Sequence, residues 1–265
     1  MTEEDGVGVG ERGVLVSGNW KMHINHFEAL KLVQELAALL RAQALPEGCA
    51  ASVHPPFTSL RTVQTAVETD RVPLALGAQT CHHADKGAFT GEVSAEMLAK
   101  LNVRYVIAGH SERRRGCGET DEMVRAKVDA ILRHGMVPIV CVGEDADERA
   151  SGAALDRVRA QVDAAFDGRP SAAVAAAVVA YEPIWAIGTG VTATPDDAEQ
   201  MCAAIRAELA RLAGPAAETT RIQYGGSVNP DNAAELLAQP NVDGLLVGGA
   251  SLEAASFHAI ARAAG

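Results

Sequence analysis

Along most of the chain, short apolar runs alternate with longer runs in which apolar residues recur every three or four positions. The short runs have the length and β-branched content of buried strands, and the longer runs have the periodicity of amphipathic helices. The predicted strands are residues 14–19, 51–54, 72–78, 105–108, 137–142, 178–181, 221–224 and 244–247. The predicted helices are residues 27–41, 59–68, 92–101, 119–133, 154–166, 195–212, 230–237 and 252–263.

Each predicted strand is followed by a helix, and no linker-like stretch separates the units. Strands that alternate with helices form parallel sheets, and eight units in about 250 residues favour a closed (β/α)8 barrel over an open doubly wound sheet. We therefore predict an α/β protein with a single (β/α)8 barrel over residues 14–265. Residues 1–13 are largely acidic and glycine-rich, so we predict a flexible N-terminal extension there.

The composition disfavours several classes of protein function. Of the 265 residues, 48% are hydrophobic, which supports a large core, and the formal charge of −11 disfavours nucleic acid and anionic membranes as partners. No apolar run reaches transmembrane length, and the first residues do not resemble a signal peptide. The cysteines are odd in number and lack CxxC spacing, which predicts a cytoplasmic protein: Cys49, Cys81, Cys117, Cys141 and Cys202.

A single acid stands at the end of the sixth predicted strand. Glu182 follows the run VVAY directly, and the segment after it, PIWAIGTGVTATP, has proline at both ends, an apolar middle and a glycine-rich tip. Such a segment can close over a ligand and expel water, which would leave the carboxylate as a strong base. The alternative is an ordinary loop with a solvated Glu182, but that would expose Trp185 and Ile187 without a use for them.

Other predicted strands also end in polar residues, and these ends meet at one face of a (β/α)8 barrel. Asn19 and Lys21 follow the first strand, and His110 follows the fourth. A lone histidine is often a satisfied core residue, but the polar residues after His110 favour a role in chemistry. Near a helix N-terminus its imidazole would stay neutral and donate one hydrogen bond.

Pairs of glycines follow the last two predicted strands, at 225–226 and 248–249. Glycine lets backbone amides approach a ligand closely, and a short helix beginning there would direct its N–H groups at an anion. Either pair alone could be a simple turn. Two pairs on neighbouring strands, with Gly188 available from the segment after Glu182, predict a phosphate-binding cradle.

Eight motifs support a family resemblance, and they occur in a fixed order on these predicted elements. They are GNWKM (18–22), GAFTGE (87–92), GHSERR (109–114), GET (118–120), CVGE (141–144), AYEPIWAIGTG (180–190), YGGSV (224–228) and VGGASL (247–252). On these motifs the sequence resembles the triosephosphate isomerase family from about residue 17 to residue 263. The resemblance implies a TIM barrel that interconverts dihydroxyacetone phosphate and D-glyceraldehyde 3-phosphate in glycolysis and gluconeogenesis, with no cofactor and no metal ion.

The resemblance also implies a role for each matching residue. Glu182 would be the base, neutral His110 the electrophile that polarises the carbonyl, and Lys21 the positive charge for the anionic substrate. The remaining roles are these: Asn19 hydrogen-bonds the reacting oxygens; Glu112 holds Lys21; Ser111 engages Glu182 before the segment closes; Gly188, Ser227, Gly248 and Gly249 bind the phosphate; and Tyr224 holds the closed segment.

The connection at residues 79–91 is long for a loop of this kind. In the family this segment reaches a neighbouring subunit, so the resemblance implies a homodimer in which Thr90 contacts the partner near its active site. His82 and His83 are weak candidates for a metal site, because adjacent side chains rarely face the same way. Positions that depart from the family's usual pattern, without removing a catalytic group, are Thr80, Cys81, Ala95, Cys117 and Val191.

Three functions are compatible with these features. The first is triose phosphate isomerisation. The second is a paralogous isomerase that acts on a four-carbon ketose phosphate, for which a shortened or more polar segment after Glu182 would be the sign, and none is present. The third is a non-catalytic phosphosugar-binding protein, which loss of Glu182 or His110 would support, but both are present.

Overall fold

The computed structural model describes residues 12–187 and 193–264, which fold as a closed barrel of parallel strands in the order β1 to β8. The strands are β1 Val14–Asn19, β2 Cys49–His54, β3 Ala75–Ala78, β4 Tyr105–Ala108, β5 Val137–Val142, β6 Val178–Tyr181, β7 Arg221–Tyr224 and β8 Gly244–Val247. The α-helices of the described residues are α1 His26–Ala42, α2 Phe57–Thr69, α3 Ala95–Ala99, α4 Ser111–Cys117, α5 Asp121–Arg133, α6 Ala146–Ala150, α7 Ala154–Phe166, α8 Ser171–Ala175, α9 Pro195–Ala213, α10 Ala233–Leu237 and α11 Ala254–Arg262. Two 3₁₀ helices cover Gly214–Thr219 and Gly249–Leu252. The predicted (β/α)8 barrel is confirmed.

The strand register aligns the C-terminal ends of β5, β6 and β7 with one another. Val142, Tyr181 and Tyr224 are paired across β5, β6 and β7. The ladder continues one residue further, because the Glu182 amide donates to the Val142 carbonyl at 2.8 Å and the Gly225 amide donates to the Tyr181 carbonyl at 2.7 Å. Glu182 is therefore held on both sides by strand hydrogen bonds and does not lie on a free loop.

The core has two layers, one between the strands and the helices and one inside the barrel. The outer layer is the larger and includes the apolar faces of the long helices. The inner layer is a compact set of strand residues: Leu15, Tyr105, Ile107, Ile139, Cys141, Val178, Ala180 and Leu246. Because side chains alternate along a strand, the residues between these face outward into the larger layer.

Two long helices begin at capping boxes, each in the connection that follows the C-terminal end of a strand. In α1, the Asn25 side chain accepts from the Glu28 amide, and the Glu28 carboxylate accepts from the Asn25 amide. In α9, Thr194 and Asp197 form the same reciprocal pair, with Pro195 at the first helical position. Such caps satisfy amides that the helix itself leaves unpaired, so both helices start at a defined residue.

Several predicted boundaries are wrong by a few residues. The helix expected at 92–101 is the shorter α3, because the Ser94 side chain caps its start by accepting from the Met97 amide. The strand expected at 72–78 begins at Ala75, after a turn that contains Pro73. The helix expected from 230 begins at Ala233. Helices α4, α6 and α8 were not predicted.

The predicted flexible extension falls mostly outside the described residues, which begin at Arg12. The Arg12 guanidinium pairs with Asp243 at 2.8 Å and with Glu218 at 3.3 Å. The extension over residues 1–13 stays a prediction. In the described ranges, no helix combines the length and the apolar character needed to cross a bilayer.

Candidate active site

A cavity of about 300 Å³ opens at the C-terminal ends of the strands. Its lining contains Asn19, Lys21, His110, Glu182, Gly225, Gly226, Ser227, Gly248 and Gly249. The structure therefore brings together the predicted catalytic and substrate-binding residues, apart from Gly188, which lies outside the described residues. A larger cavity of about 430 Å³ lies at the opposite ends of β2 to β4 and contains none of them.

The Glu182 carboxylate is buried, with 2% of its surface exposed, and it is surrounded by donors. Ser111 donates its backbone amide to Oε2 at 2.9 Å and its hydroxyl to Oε1 at 3.0 Å. The His110 Nε2 atom lies 3.1 Å from Oε1. These contacts fix the position of the carboxylate beside His110.

The hydrogen bonds of His110 define its protonation state. Its Nδ1 atom accepts a hydrogen bond from the Glu112 backbone amide at 3.2 Å, so Nδ1 carries no proton. The ring is therefore the neutral tautomer with its proton on Nε2, the atom that faces the cavity and Glu182. His110 is also the residue that caps the N-terminus of α4.

Lys21 supplies the positive charge of the cavity. Its ammonium group donates to Glu112 Oε1 at 2.6 Å, and its backbone amide donates to Asn19 Oδ1 at 3.1 Å. Partial burial alone would raise the pKa of Glu112, but the hydrogen bond and charge of Lys21 lower it overall. Glu112 is thus a carboxylate in a charge-assisted hydrogen bond with Lys21, the contact that the family resemblance implies.

The glycines of the cavity differ in the room around them: a side chain would collide at Gly226 and be tight at Gly225, but it would fit at Gly248 and Gly249. A Cβ at Gly225 would lie 3.2 Å from the Glu182 Cγ atom, and a Cβ at Gly226 would overlap the Tyr224 hydroxyl. A Cβ at Gly248 would lie 3.5 Å from the Lys21 Cε atom. The 3₁₀ helix Gly249–Leu252 starts directly after this glycine, and its first two residues line the cavity.

Tyr224 is buried, and its hydroxyl has no hydrogen-bond partner among the described residues. Burial raises its pKa well above the ordinary value, so the hydroxyl stays protonated. Buried hydroxyls are normally hydrogen-bonded, so the missing partner of this one is sought outside residues 12–187 and 193–264. Thr90 lies on the exposed part of the connection between β3 and α3.

Sequence reasoning gave no role to a cluster that anchors the segment after Glu182. The Glu144 carboxylate accepts from the Tyr181 hydroxyl at 3.0 Å and from the Trp185 indole at 2.7 Å. Arg149 lies 3.9 Å above the Trp185 ring and also pairs with Asp197 at 2.7 Å. Burial raises the pKa of Glu144, and these hydrogen bonds only partly oppose it. The motif CVGE marks Glu144 in the sequence, whereas no motif distinguishes Arg149 from other arginines on helices.

The comparisons with known proteins agree with this geometry. The sequence model of one family, described as "TIM: Triosephosphate isomerase", matches residues 14–264. The chain is 51% identical over 249 residues to a triosephosphate isomerase of Streptomyces avermitilis, covering 94% of this chain and 96% of that one. It is 55% identical over 244 residues to the Chloroflexus aurantiacus enzyme of the same name, covering 92% and 96%. The crystal structure of triosephosphate isomerase from Bartonella henselae superimposes with a TM-score of 0.83 at 36% identity, covering 94% and 98%.

Proposed function

Because the chain belongs to the triosephosphate isomerase family, and is therefore an aldose–ketose isomerase of triose phosphates, we propose that Glu182 and His110 carry its chemistry. The observation that supports this is the 3.1 Å separation of the Glu182 carboxylate from the His110 Nε2 atom in one cavity. A base and a hydrogen-bond donor placed this closely can act on adjacent atoms of one small substrate. Interconversion of dihydroxyacetone phosphate and D-glyceraldehyde 3-phosphate needs that pair.

In the proposed reaction, Glu182 removes a proton from the carbon next to the carbonyl and leaves an enediolate. The same carboxylate returns the proton to the neighbouring carbon. His110 donates from Nε2 to the oxygen that gains negative charge and passes a proton between the two oxygens. Before the first step, the carboxylate exchanges its two Ser111 donors for the substrate, which brings it to the carbon that it deprotonates.

We assign Lys21 and the glycine cradle to the anionic end of the substrate. The chain has a formal charge of −11, so an anion binds only where positive groups are concentrated. Lys21 lies beside Gly248, and Gly249 and Ser227 line the same cavity, so we propose that the backbone amides of these three residues bind the phosphate. Asn19, which holds the Lys21 backbone, faces the substrate oxygens. Gly188 is proposed as a further amide donor on the family resemblance alone.

We further propose that the segment after Glu182 closes over the substrate and that the Tyr224 hydroxyl holds it there. Residues 188–192 of that segment lie outside the described residues, so the support comes from its surroundings. The buried Tyr224 hydroxyl has no hydrogen-bond partner within residues 12–187 and 193–264, and Trp185 is anchored to Glu144 at the start of the segment. A closed cover would exclude water and protect an enediolate that readily loses phosphate.

We also propose a homodimer in the cytoplasm. A second cavity, of about 370 Å³, adjoins the active site and is lined by Met22, Pro56 and Phe57 together with Asn19 and Lys21. Its apolar rim and its position beside the site suit the insertion of a partner's loop, which the resemblance assigns to Thr90. All five cysteines lie within the described residues and are free thiols, which supports a reducing compartment.

Two measurements test the proposed function. A coupled assay should show a much higher kcat/KM for glyceraldehyde 3-phosphate than for a tetrulose phosphate. The Glu182→Gln variant should keep its fold and its affinity for phosphate ligands but lose kcat by about 10³-fold or more, because it removes the base. Glu235→Gln, an exposed position on α10, is the matched control and should leave kcat unchanged. Unchanged turnover in Glu182→Gln would remove this residue from the role of base.

A further inference from the structure

The turn between β1 and α1 holds two residues in an unusual backbone conformation. Lys21 has a φ angle of +50° and Ile24 has one of +56°. A positive φ is uncommon for any residue other than glycine, and for a β-branched residue it is an outlier, because the side chain crowds the following carbonyl. Such a conformation persists only where the surrounding contacts require it.

The two ends of this turn are held by hydrogen bonds. At the start, the Lys21 amide donates to the Asn19 side chain, and the Lys21 carbonyl accepts from the Gln79 side chain at 2.8 Å. At the end, Asn25 begins α1 through its capping box with Glu28. The four residues between Trp20 and Asn25 therefore span two fixed points.

Between these points, Ile24 provides the apolar anchor. Met22 and His23 are exposed, with 94% of Met22 accessible, so neither attaches the turn to the protein. The Ile24 side chain is partly buried and packs against the main hydrophobic core. Its burial offsets the strain of its own backbone, and it removes freedom that a glycine at this position would restore.

We propose that Ile24 is a positioning residue for Lys21. Its packing fixes the turn, and the turn sets where the ammonium group lies relative to Glu112 and the glycine cradle. Ile24 itself does not line the cavity. The inference rests on the proposed contact between Lys21 and the substrate's phosphate, and it predicts that weakening the Ile24 anchor loosens substrate binding while leaving Glu182 and His110 in place.

Three substitutions separate packing from backbone strain. Ile24→Gly and Ile24→Asn both accept a positive φ but lose the apolar anchor, whereas Ile24→Leu keeps an apolar side chain. We expect the first two to raise KM for glyceraldehyde 3-phosphate and the inhibition constant of inorganic phosphate about tenfold, the effect of losing one well-placed charged contact. Their kcat should change much less. Ile24→Leu should remain close to the parent in both constants.

Arg71→Gly is the matched control, because Arg71 also has a positive φ, of +48°, and lies at the turn between α2 and β3, away from the catalytic face. It should leave KM unchanged. KM is measured at two enzyme concentrations and alongside thermal melting, so that assembly and folding are followed separately. If Ile24→Gly does not fold, the KM of Ile24→Asn is compared with that of Ile24→Leu, and a higher KM in Ile24→Asn supports the inference.

The outcomes distinguish this inference from the function on which it rests. An unchanged KM in Lys21→Met would refute the proposed phosphate contact itself. A raised KM in Lys21→Met together with a parental KM in Ile24→Gly and Ile24→Asn would refute only the positioning role. The inference would also be overturned if Ile24→Leu were as impaired as Ile24→Gly, or if the impairment vanished at the higher enzyme concentration.

Discussion

The imidazole of His54 is fully buried at the end of β2, beside the catalytic face. Its Nδ1 atom lies 3.2 Å from the Ala78 carbonyl and its Nε2 atom lies 3.1 Å from the Ser52 hydroxyl. The carbonyl can only accept, so Nδ1 donates to it, and the Ser52 hydroxyl beside Nε2 itself donates to the Ser17 hydroxyl at 3.0 Å. Both ring nitrogens thus have polar neighbours, but complete burial of the imidazole disfavours its charged form.

This environment predicts a pH-dependent stability. Burial lowers the pKa of His54 to about 4 from its ordinary value of 6.5. Between these two pH values the unfolded chain binds more protons than the folded one, so the free energy of unfolding falls as the pH drops from 6.5 towards 4. Urea unfolding at several pH values should show a loss of the order of 3 kcal/mol from this residue.

The control for this prediction is His54→Gln, which can still donate to the Ala78 carbonyl but does not titrate. All other ionisable groups are the same in the two proteins, so the difference between their stability curves isolates His54. We expect the parent to lose more stability than the variant between pH 6.5 and 4. Parallel curves would contradict the assignment of a buried neutral imidazole.

How far the site could be predicted depends on what each residue contributes. Glu182, His110 and Lys21 carry reactive groups at strand ends, and motifs mark them, so the sequence revealed them. His54 and Arg149 gave no such signal. Their roles arise from neighbours on other elements, such as Ala78 and Trp185, and one chain without its fold does not show which neighbours those are.

At the scale of elements, the long amphipathic helices and the buried strands were predictable because their periodicity extends over many residues. The short helices were not. Helices α6 and α8 have five residues each, which is too few to show a period, and α4 has the sequence SERRRGC without an apolar face. Helix α4 forms because of its context: His110 caps it and Gly118 ends it in a left-handed conformation.

The contact between the ends of β5 and β6 depends on a glycine. Gly143 follows β5, and a Cβ added there would overlap the backbone carbonyl of Glu182. Because a backbone atom cannot rotate away as a side chain can, Gly143→Ala has to separate the two strands or displace Glu182. We expect a loss of about 3 kcal/mol or more in the free energy of unfolding, measured in urea, and a lower kcat in whatever protein folds.

Gly116→Ala is the matched control for this substitution. Gly116 lies on the exposed side of α4, its φ is not in the left-handed region, and a Cβ there would meet nothing within 4 Å. Alanine favours a helix over glycine, so stability should be unchanged or rise by up to about 1 kcal/mol. If Gly143→Ala were as benign as this control, the close approach of the two strands would not matter for the site.

At the scale of the whole molecule, the connection between β3 and α3, residues 79–94, is a long loop that we call the projection. Its base is closed by a hydrogen bond from the His82 amide to the Val93 carbonyl, and Asp85 is bound by Arg133 and His134 at 2.8 Å each. Hydrogen bonds from these two residues hold the pKa of Asp85 down at about 2. These contacts attach the projection to the end of α5, and Phe89 on it has 44% of its surface exposed.

An exposed large apolar side chain is typical of an association surface, so the proposed dimer can be tested at Phe89. The parent should sediment at twice the 27.6 kDa of one chain, whereas Phe89→Glu should shift to the mass of one chain and lose activity on dilution, because a charge would be buried in the interface. Met123→Glu is the matched control, since Met123 is 41% exposed but lies on α5 away from the projection and from the cavity beside Lys21. It should remain a dimer. A parent that sediments as one chain while fully active would show that the site is complete without a partner, and the projection would then need another purpose.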